Sequence, residues 1–340
     1  MNHHMNQQMN RKIIVLTPVK NEEWILDTFL KTSSAFADHI ILADQQSTDR
    51  TAEIAAAFPK VLLIGNDSGS YDESSRQSLL IRTARERFGT GHILLAIDAD
   101  EIISYDSLHS EEWESIRAAA PGTVLFFEKP TFYRNLEQVI RYKSSGGWPL
   151  GYVDDGAEHQ PSMIHSTRVP FRDSSPRLYL RDIKFMHCNL LSMQRQRSKI
   201  RYYCLLEATA RTRPWHRRIR HYYRHYDYLT EGDGLDRACS VWTEGWARRG
   251  IRISRPETER FLWYDKECLK LFQKQGSRKY WMEDVWDINW NEAVRFFGTI
   301  DYRITPPPRI ITLLRESLYH TIRLLSVLKT AAGRLKFARN

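Results

Sequence analysis

Four cysteines in 340 residues, Cys188, Cys204, Cys239 and Cys268, are too few and too scattered for a disulfide framework. None shows the CxxC spacing or nearby histidine pairing of a structural zinc site, so reduced thiols and a cytoplasmic setting are expected. No uninterrupted apolar run is long enough for a bilayer span. The longest apolar-looking stretch, 310–328, is broken by Arg315, Glu316, His320 and Arg323. A GxxxxGK[ST] loop is absent, which excludes a P-loop ATPase, and no repeat of solenoid period is present. Glycine (16) and proline (13) are too sparse for a collagenous chain or one disordered throughout. Residues 1–10, MNHHMNQQMN, lack the apolar stretch of a signal peptide and are expected to form a disordered tail, in which His3 and His4 carry no metal.

What is present is globular: 42% hydrophobic and 27% charged residues, with a net charge of +9. That charge is local. Residues 194–224 hold ten Lys/Arg against Glu207, and 309–340 hold seven against Glu316, so the remainder of the chain is net acidic. Such windows suit an anionic partner, either a phosphorylated ligand or an anionic membrane touched peripherally on its inner face; a merely solvated basic face is the bland alternative. Nucleic acid is not expected as a partner.

The first hundred residues alternate β-branched apolar runs (11–17, 39–44, 61–64 and 92–97) with helical spacings at 22–36 and 72–88 and, after the start signal Ser47-Thr48-Asp49, an Ala-rich helix to Phe58. Near-continuous apolar strands separated by helices predict an α/β fold with a mainly parallel, Rossmann-type sheet covered on both faces. Short strands are expected at 123–127 and 131–133, a Gly-rich turn region at 144–156, and two short strands within 177–186. Helices follow at 195–210, 215–229 and 235–249, with an aromatic-rich helical segment at 261–297. A triple proline at 306–308 precedes a basic amphipathic helix, 310–338. The expected organisation is a tail (1–10), a catalytic domain (11–205), a helical accessory region (206–305) and the proline-hinged helix (306–340).

In parallel α/β sheets ligands bind beyond the carboxyl ends of the strands, where helix N-termini present their N–H groups. Thr17 and Pro18, Asp44, and Asp98-Ala99-Asp100 fall at such ends. Two carboxylates flanking one small residue after an apolar strand offer oxygens to one hard cation, and Mg²⁺ or Mn²⁺ held there neutralises a diphosphate.

The segments TPVKNEEWIL (17–26), ADQQSTDRT (43–51), SSRQSLL (74–80) and ILLAIDADEI (93–102) together resemble family 2 glycosyltransferases of the GT-A fold. The resemblance covers roughly the first 105 residues and fits loosely to about 205. It implies transfer of a sugar from a nucleotide diphosphate sugar to an acceptor hydroxyl, saccharide or lipid-linked, with inversion, as in cell-surface glycan synthesis. It further implies that Thr17, Pro18 and Glu22 line the nucleotide pocket, that Asp44 holds the base or ribose, and that Arg76 faces the nucleotide. Asp98 and Asp100 would hold ribose and metal. Gln45-Gln46 departs from the Asp-Gly of many members.

For the base that takes the acceptor proton, the loop WPLGYVDDG (148–156) offers Asp154 and Asp155, with Glu158 next, beside rings able to stack on a sugar. His187, after an apparent strand, resembles the late histidine that completes the metal site in related enzymes; His159 and His165 are weaker candidates. Glu101 is expected to support its neighbours rather than to bind a ligand. Competing readings are a metal-dependent nucleotidyltransferase, a phosphatase using the same Asp-x-Asp, and a basic-surface binding protein without activity.

Overall fold

The computed structural model describes residues 11–66, 73–140, 146–159, 167–211, 213–222, 234–256, 259–298 and 302–337. The tail at 1–10, His165 and the end of the expected helix at 223–229 lie outside them. The chain divides into two compact units. One takes it through Leu191 and adds Gly234–Glu257; the other comprises Ser192–Asp233 and everything from Thr258 onward.

The first unit is built on an 11-stranded mixed sheet. Its opening half is β1 (Ile13–Val19), α1 (Glu23–Ser33), β2 (His39–Asp44), α2 (Thr51–Ala56), β3 (Val61–Gly65), α3 (Glu73–Phe88) and β4 (Ile93–Ala96), in the order the apolar runs predict. These four strands are mutually parallel in the order β3-β2-β1-β4. Alternation decides which layer each side chain enters. Ile13, Val15, Ile40, Leu42 and Leu95 meet Phe29 and Leu30 of α1 on one face, while Ile14, Leu16, Ile41 and Leu94 meet Leu80, Ile81 and Ala84 of α3 on the other. Each such burial contributes about 1.5–3 kcal/mol, so both faces must be covered for the strands to be stable.

Pro18 sits inside β1 without cost to the ladder. Alternate residues of β1 turn their backbone groups to β4, as Leu16 does in accepting from Ile97 N at 3.2 Å, and β4 has ended where Pro18 would need a partner.

The second half of the sheet departs from expectation in three places. The Gly-rich region contains a strand, β9 (Trp148–Val153), inserted antiparallel between β4 and β6 (Val124–Glu128). Gly151 makes this possible: a Cβ there would lie 2.5 Å from Leu95 and 3.0 Å from the Leu94 carbonyl. The two short strands expected at 177–186 are one long strand, β10 (Arg177–Leu190), whose register shifts between Leu180 and Lys184. It runs parallel to β6 and then to β7 (Thr131–Tyr133), and antiparallel to β5 (Glu101–Ile103). The helix expected at 235–249 is instead β11 (Leu235–Arg237), paired with β8 (Gln138–Ile140), followed by a helix at Val241–Arg248. Trp242 and Trp246 of that helix are buried in the core of the first unit, with the Trp246 indole donating to the Ile103 carbonyl at 2.9 Å, which is why this segment belongs to the sheet unit. The division between the two compact units falls after Leu191.

The second unit is helical. Ser192 caps Met193–Ala210, and Trp215–Tyr222, Trp263–Gln275, Trp290–Phe297 and Arg309–Phe337 complete it. Four of the ten basic residues at 194–224 are paired with acids inside this unit. Arg201 is buried against Asp265 (2.9 Å) and Asp287 (2.8 Å), Arg218 pairs with Glu283 at 2.5 Å, and Arg197 and Arg213 approach Asp287 and Glu207. Those arginines hold helices together rather than facing a partner. Among the described residues no helix is long and apolar enough to cross a membrane.

Candidate active site

Strands β1, β2, β4 and β6 run in one direction, so Val19, Asp44, Ala96 and Glu128 reach the same edge of the sheet. The N-terminal turn of α3, with half-buried Arg76, begins on the edge where β3 ends. At the end of β2 the Asp44 carboxylate accepts from the Ser47 hydroxyl at 2.5 Å and from Ser47 N at 3.2 Å, closing the turn that starts the next helix. The same hydroxyl accepts from Asn21 N at 2.9 Å, tying the β1 and β2 turns together. Gln46 has φ of 54°, the left-handed conformation that glycine adopts without a Cβ penalty. That is the physical content of the departure from Asp-Gly.

Thr17 is fully buried and cannot touch a nucleotide, which corrects the role expected of it. Pro18 and Glu22 are half-buried, and the Glu22 carboxylate accepts the Trp24 indole N–H at 2.8 Å.

The Asp-x-Asp triplet is held from several directions. Asp98 N donates to Glu101 at 3.0 Å, Glu101 N donates to the Asp98 carbonyl at 2.9 Å, and Cys188 N donates to the Asp100 carbonyl at 2.7 Å. Glu101 is buried and takes the supporting place: it accepts Lys129 at 2.9 Å and both arms of Arg168 at 2.5 and 3.0 Å. Burial alone would raise its pKa, yet Arg168 and Lys129 outweigh burial and hold it well below the usual carboxylate range. Arg168 spans to the Asp98 carboxylate at 2.5 Å; burial would lower its pKa, but Asp98 and Glu101 raise it, so it stays a cation. The Cys188 thiol is pushed up, first by burial and then by Asp100 and Glu101, and remains protonated.

β10 carries His187 opposite Glu101, placing its Nε2 3.6 Å from Asp100 Oδ2. Asp98, by contrast, is committed to Arg168. Among the described residues no three His, Cys, Asp or Glu side chains gather as a metal cage. The Asp100 carboxylate nevertheless suits Mg²⁺ or Mn²⁺, which need only one or two protein ligands and leave the rest to phosphate oxygens and water, and the imidazole 3.6 Å away could join it on Mn²⁺, the less oxygen-selective of the two. Asp100 and His187 are the pair this geometry brings together, while the Asp98 carboxylate meets Arg168.

Asp154 and Asp155 are not at this edge. β9 runs against β4, pairing Val153 with Ile93 at the start of β4, so residues 154–158 emerge at the opposite end of the sheet. Asp154 is buried against Arg85 at 2.7 Å and accepts from Gly156 N at 3.0 Å, while exposed Asp155 caps Ala157 N at 3.0 Å. Their adjacency to Trp148 in sequence concealed a full strand between them. Asp154→Ala should therefore lower stability by about 3–5 kcal/mol, the scale of removing one partner of a buried ion pair. Thermal unfolding checks it, with activity per folded molecule unchanged. His159 is bonded to the Thr167 carbonyl and is not part of the site.

What β9 does bring to the carboxyl edge is Trp148, opposite Phe127 and 37% exposed, with Lys129 Nζ 4.3 Å above its ring. Arg168 and Lys129 escaped the sequence reading. Arg168 stands alone in a loop with no pattern around it, whereas Lys129, at the end of an apolar strand and before a proline, had a position that signals the ligand edge.

No protein-family model matches the sequence, and no curated protein matches it. Among solved structures, glucosyl-3-phosphoglycerate synthase from Mycobacterium tuberculosis, in complex with Mn²⁺, UDP and glucosyl-3-phosphoglycerate, matches at 19% identity with a TM-score of 0.27. That match covers 38% of this chain and 47% of the synthase, so it spans about half the length of that protein. A complex of the same enzyme with Mg²⁺ and UDP matches over 39% of this chain and 47% of that one, at 19% identity and a TM-score of 0.27. A 4-diphosphocytidyl-2C-methyl-D-erythritol synthase matches at 15% identity, TM-score 0.30, over 42% of this chain and 76% of that one.

Proposed function

We infer that the chain is a glycosyltransferase that moves a sugar from a nucleotide diphosphate donor to an acceptor hydroxyl with inversion. The observation that carries this reading is the meeting, at one edge of a parallel sheet, of Asp44 with the Asp98-Ala99-Asp100 triplet and a histidine 3.6 Å from Asp100. Asp100 and His187 would hold a divalent cation, which would supply charge neutralisation for the leaving diphosphate. Arg168 and Lys129 keep Glu101 ionised, and Glu101 fixes the backbone of the triplet, so Asp100 is presented without reorganisation. Asp44, already accepting from Ser47, retains lone pairs for a ribose or base.

Glu128 is the base in this reading. It ends β6 at the carboxyl edge, half-buried, and the described residues give it no hydrogen bond or ion pair. Trp148, on the strand between β4 and β6, offers the platform on which a saccharide acceptor stacks. Trp148→Ala is expected to raise the acceptor KM about tenfold with little change in donor affinity; steady-state kinetics in each substrate tests it.

The deciding experiment screens sugar nucleotides with Mn²⁺ and Mg²⁺ for a rise in melting temperature, then assays the hits for release of nucleoside diphosphate. Release of pyrophosphate from a nucleoside triphosphate would instead identify a nucleotidyltransferase.

A further inference from the structure

The last helix, Arg309–Phe337, has two apolar faces. One is used: Tyr319 is buried, packs with Ile219 and Ile322, and lies on the side from which Arg315 donates to the Glu283 carbonyl at 3.2 Å. The other is open. Ile310, Leu313, Leu314, Leu324 and Leu325 are between 48% and 71% exposed and fall within about a third of the helix circumference, with exposed Ser317 and Thr321 between the two leucine pairs. On a helical wheel the sequence gathers Ile310, Ile311, Leu314, Leu318, Ile322, Leu325 and Leu328 into one apolar arc, of which the structure half-buries Ile311, Leu318 and Ile322 and leaves Ile310, Leu314 and Leu325 exposed. Five large exposed apolar side chains on one arc are too many for incidental surface.

We propose that this arc is a docking face for an anionic lipid surface, on which the helix lies parallel to the membrane plane. Charge identifies the occupant. From Arg309 to the end the sequence carries seven Lys/Arg and one acid, and that acid, Glu316, is engaged by Arg315 at 3.4 Å. Leucines flanked by uncompensated basic charge match anionic headgroups over acyl chains. A second copy of the helix would set like charge against like charge, and the hydroxyl residues at 317 and 321 interrupt the seam that a coiled coil needs.

Co-sedimentation of the full chain with phosphatidylglycerol/phosphatidylcholine vesicles, against phosphatidylcholine alone and at low and high salt, tests this. The full chain should bind the anionic vesicles at low salt and lose most of that binding in high salt or on neutral vesicles. Replacing Leu313, Leu314, Leu324 and Leu325 together by serine should reduce partitioning by at least about tenfold, with far-ultraviolet circular dichroism unchanged because none of the four is buried. A second variant, Lys329→Ser with Arg334→Ser and Lys336→Ser, should weaken binding to anionic vesicles alone. Failure of the full chain to bind, or wild-type binding by both variants, overturns the proposal. So does a solution dimer that the leucine variant dissociates, since the face would then be covered by a second copy.

Discussion

Asp100→Ala is expected to remove divalent-dependent turnover, lowering kcat/KM about a hundred- to a thousandfold, the scale on which loss of one preorganised charge-stabilising group acts. The carboxylate sits 3.6 Å from the His187 imidazole at the edge where the parallel strands end, and its backbone is fixed through Cys188 and Glu101. Removing it therefore deletes a charge without loosening the turn. Calorimetric titration of nucleoside diphosphate with and without Mn²⁺ should show the metal-dependent gain in affinity disappear, while metal-free affinity stays close to that of the unaltered protein. Full activity of the unaltered protein in excess chelator, or a persistent Mn²⁺ dependence in the variant, would sink the assignment. Asp98→Asn provides the contrast: its carboxylate meets Arg168 rather than His187, so the variant should disturb the Arg168–Glu101 cluster and retain most of the Mn²⁺ effect.

The parallel half of this fold was legible because its strands are buried on both faces and therefore read as unbroken apolar runs, each followed by a turn and a helix. In the second half β6 and β7 were legible as well, but β9, β11 and the continuity of β10 were not. β9 is only six residues, begins with Trp-Pro and contains Gly151, a composition that reads as a turn; only its packing against Leu94 and Leu95 shows why glycine is required in a strand there. β11 is short enough to vanish inside a helical spacing. The same blind spot governed the site. Asp44, Asp98 and Asp100 follow apolar runs, so their edge could be deduced from strand direction. Asp154 and Asp155 follow a strand running the other way, and their placement depended on a direction that composition does not encode. Arg168 and Glu101 meet across some seventy residues of chain, and no local pattern announces such a pair.

Glu128→Gln is expected to slow transfer by orders of magnitude while leaving donor binding nearly intact. A base must lie on the acceptor side of the sugar, and the strand order β4-β9-β6 sets the end of β6 two strand spacings, about 10 Å, from the end of β4, a gap that a sugar ring spans. Trp148, on the intervening strand, occupies the place where an acceptor ring would lie between them. The other acids at this edge are committed: Asp98 and Glu101 to Arg168, Asp44 to Ser47, and the Glu22 carboxylate to the Trp24 indole. Lys184, aligned with Glu128 across the β6–β10 ladder, turns its ammonium to the carbonyls of Arg181 and Asp182 at 2.6 and 3.1 Å and does not neutralise it. Glutamine keeps the shape and removes the proton acceptor, so kcat should fall by about 10²–10⁴ while the donor dissociation constant changes less than twofold to threefold. Asp154→Asn, at the opposite edge, should keep wild-type turnover per folded molecule. Wild-type turnover by Glu128→Gln would move the base off β6 altogether.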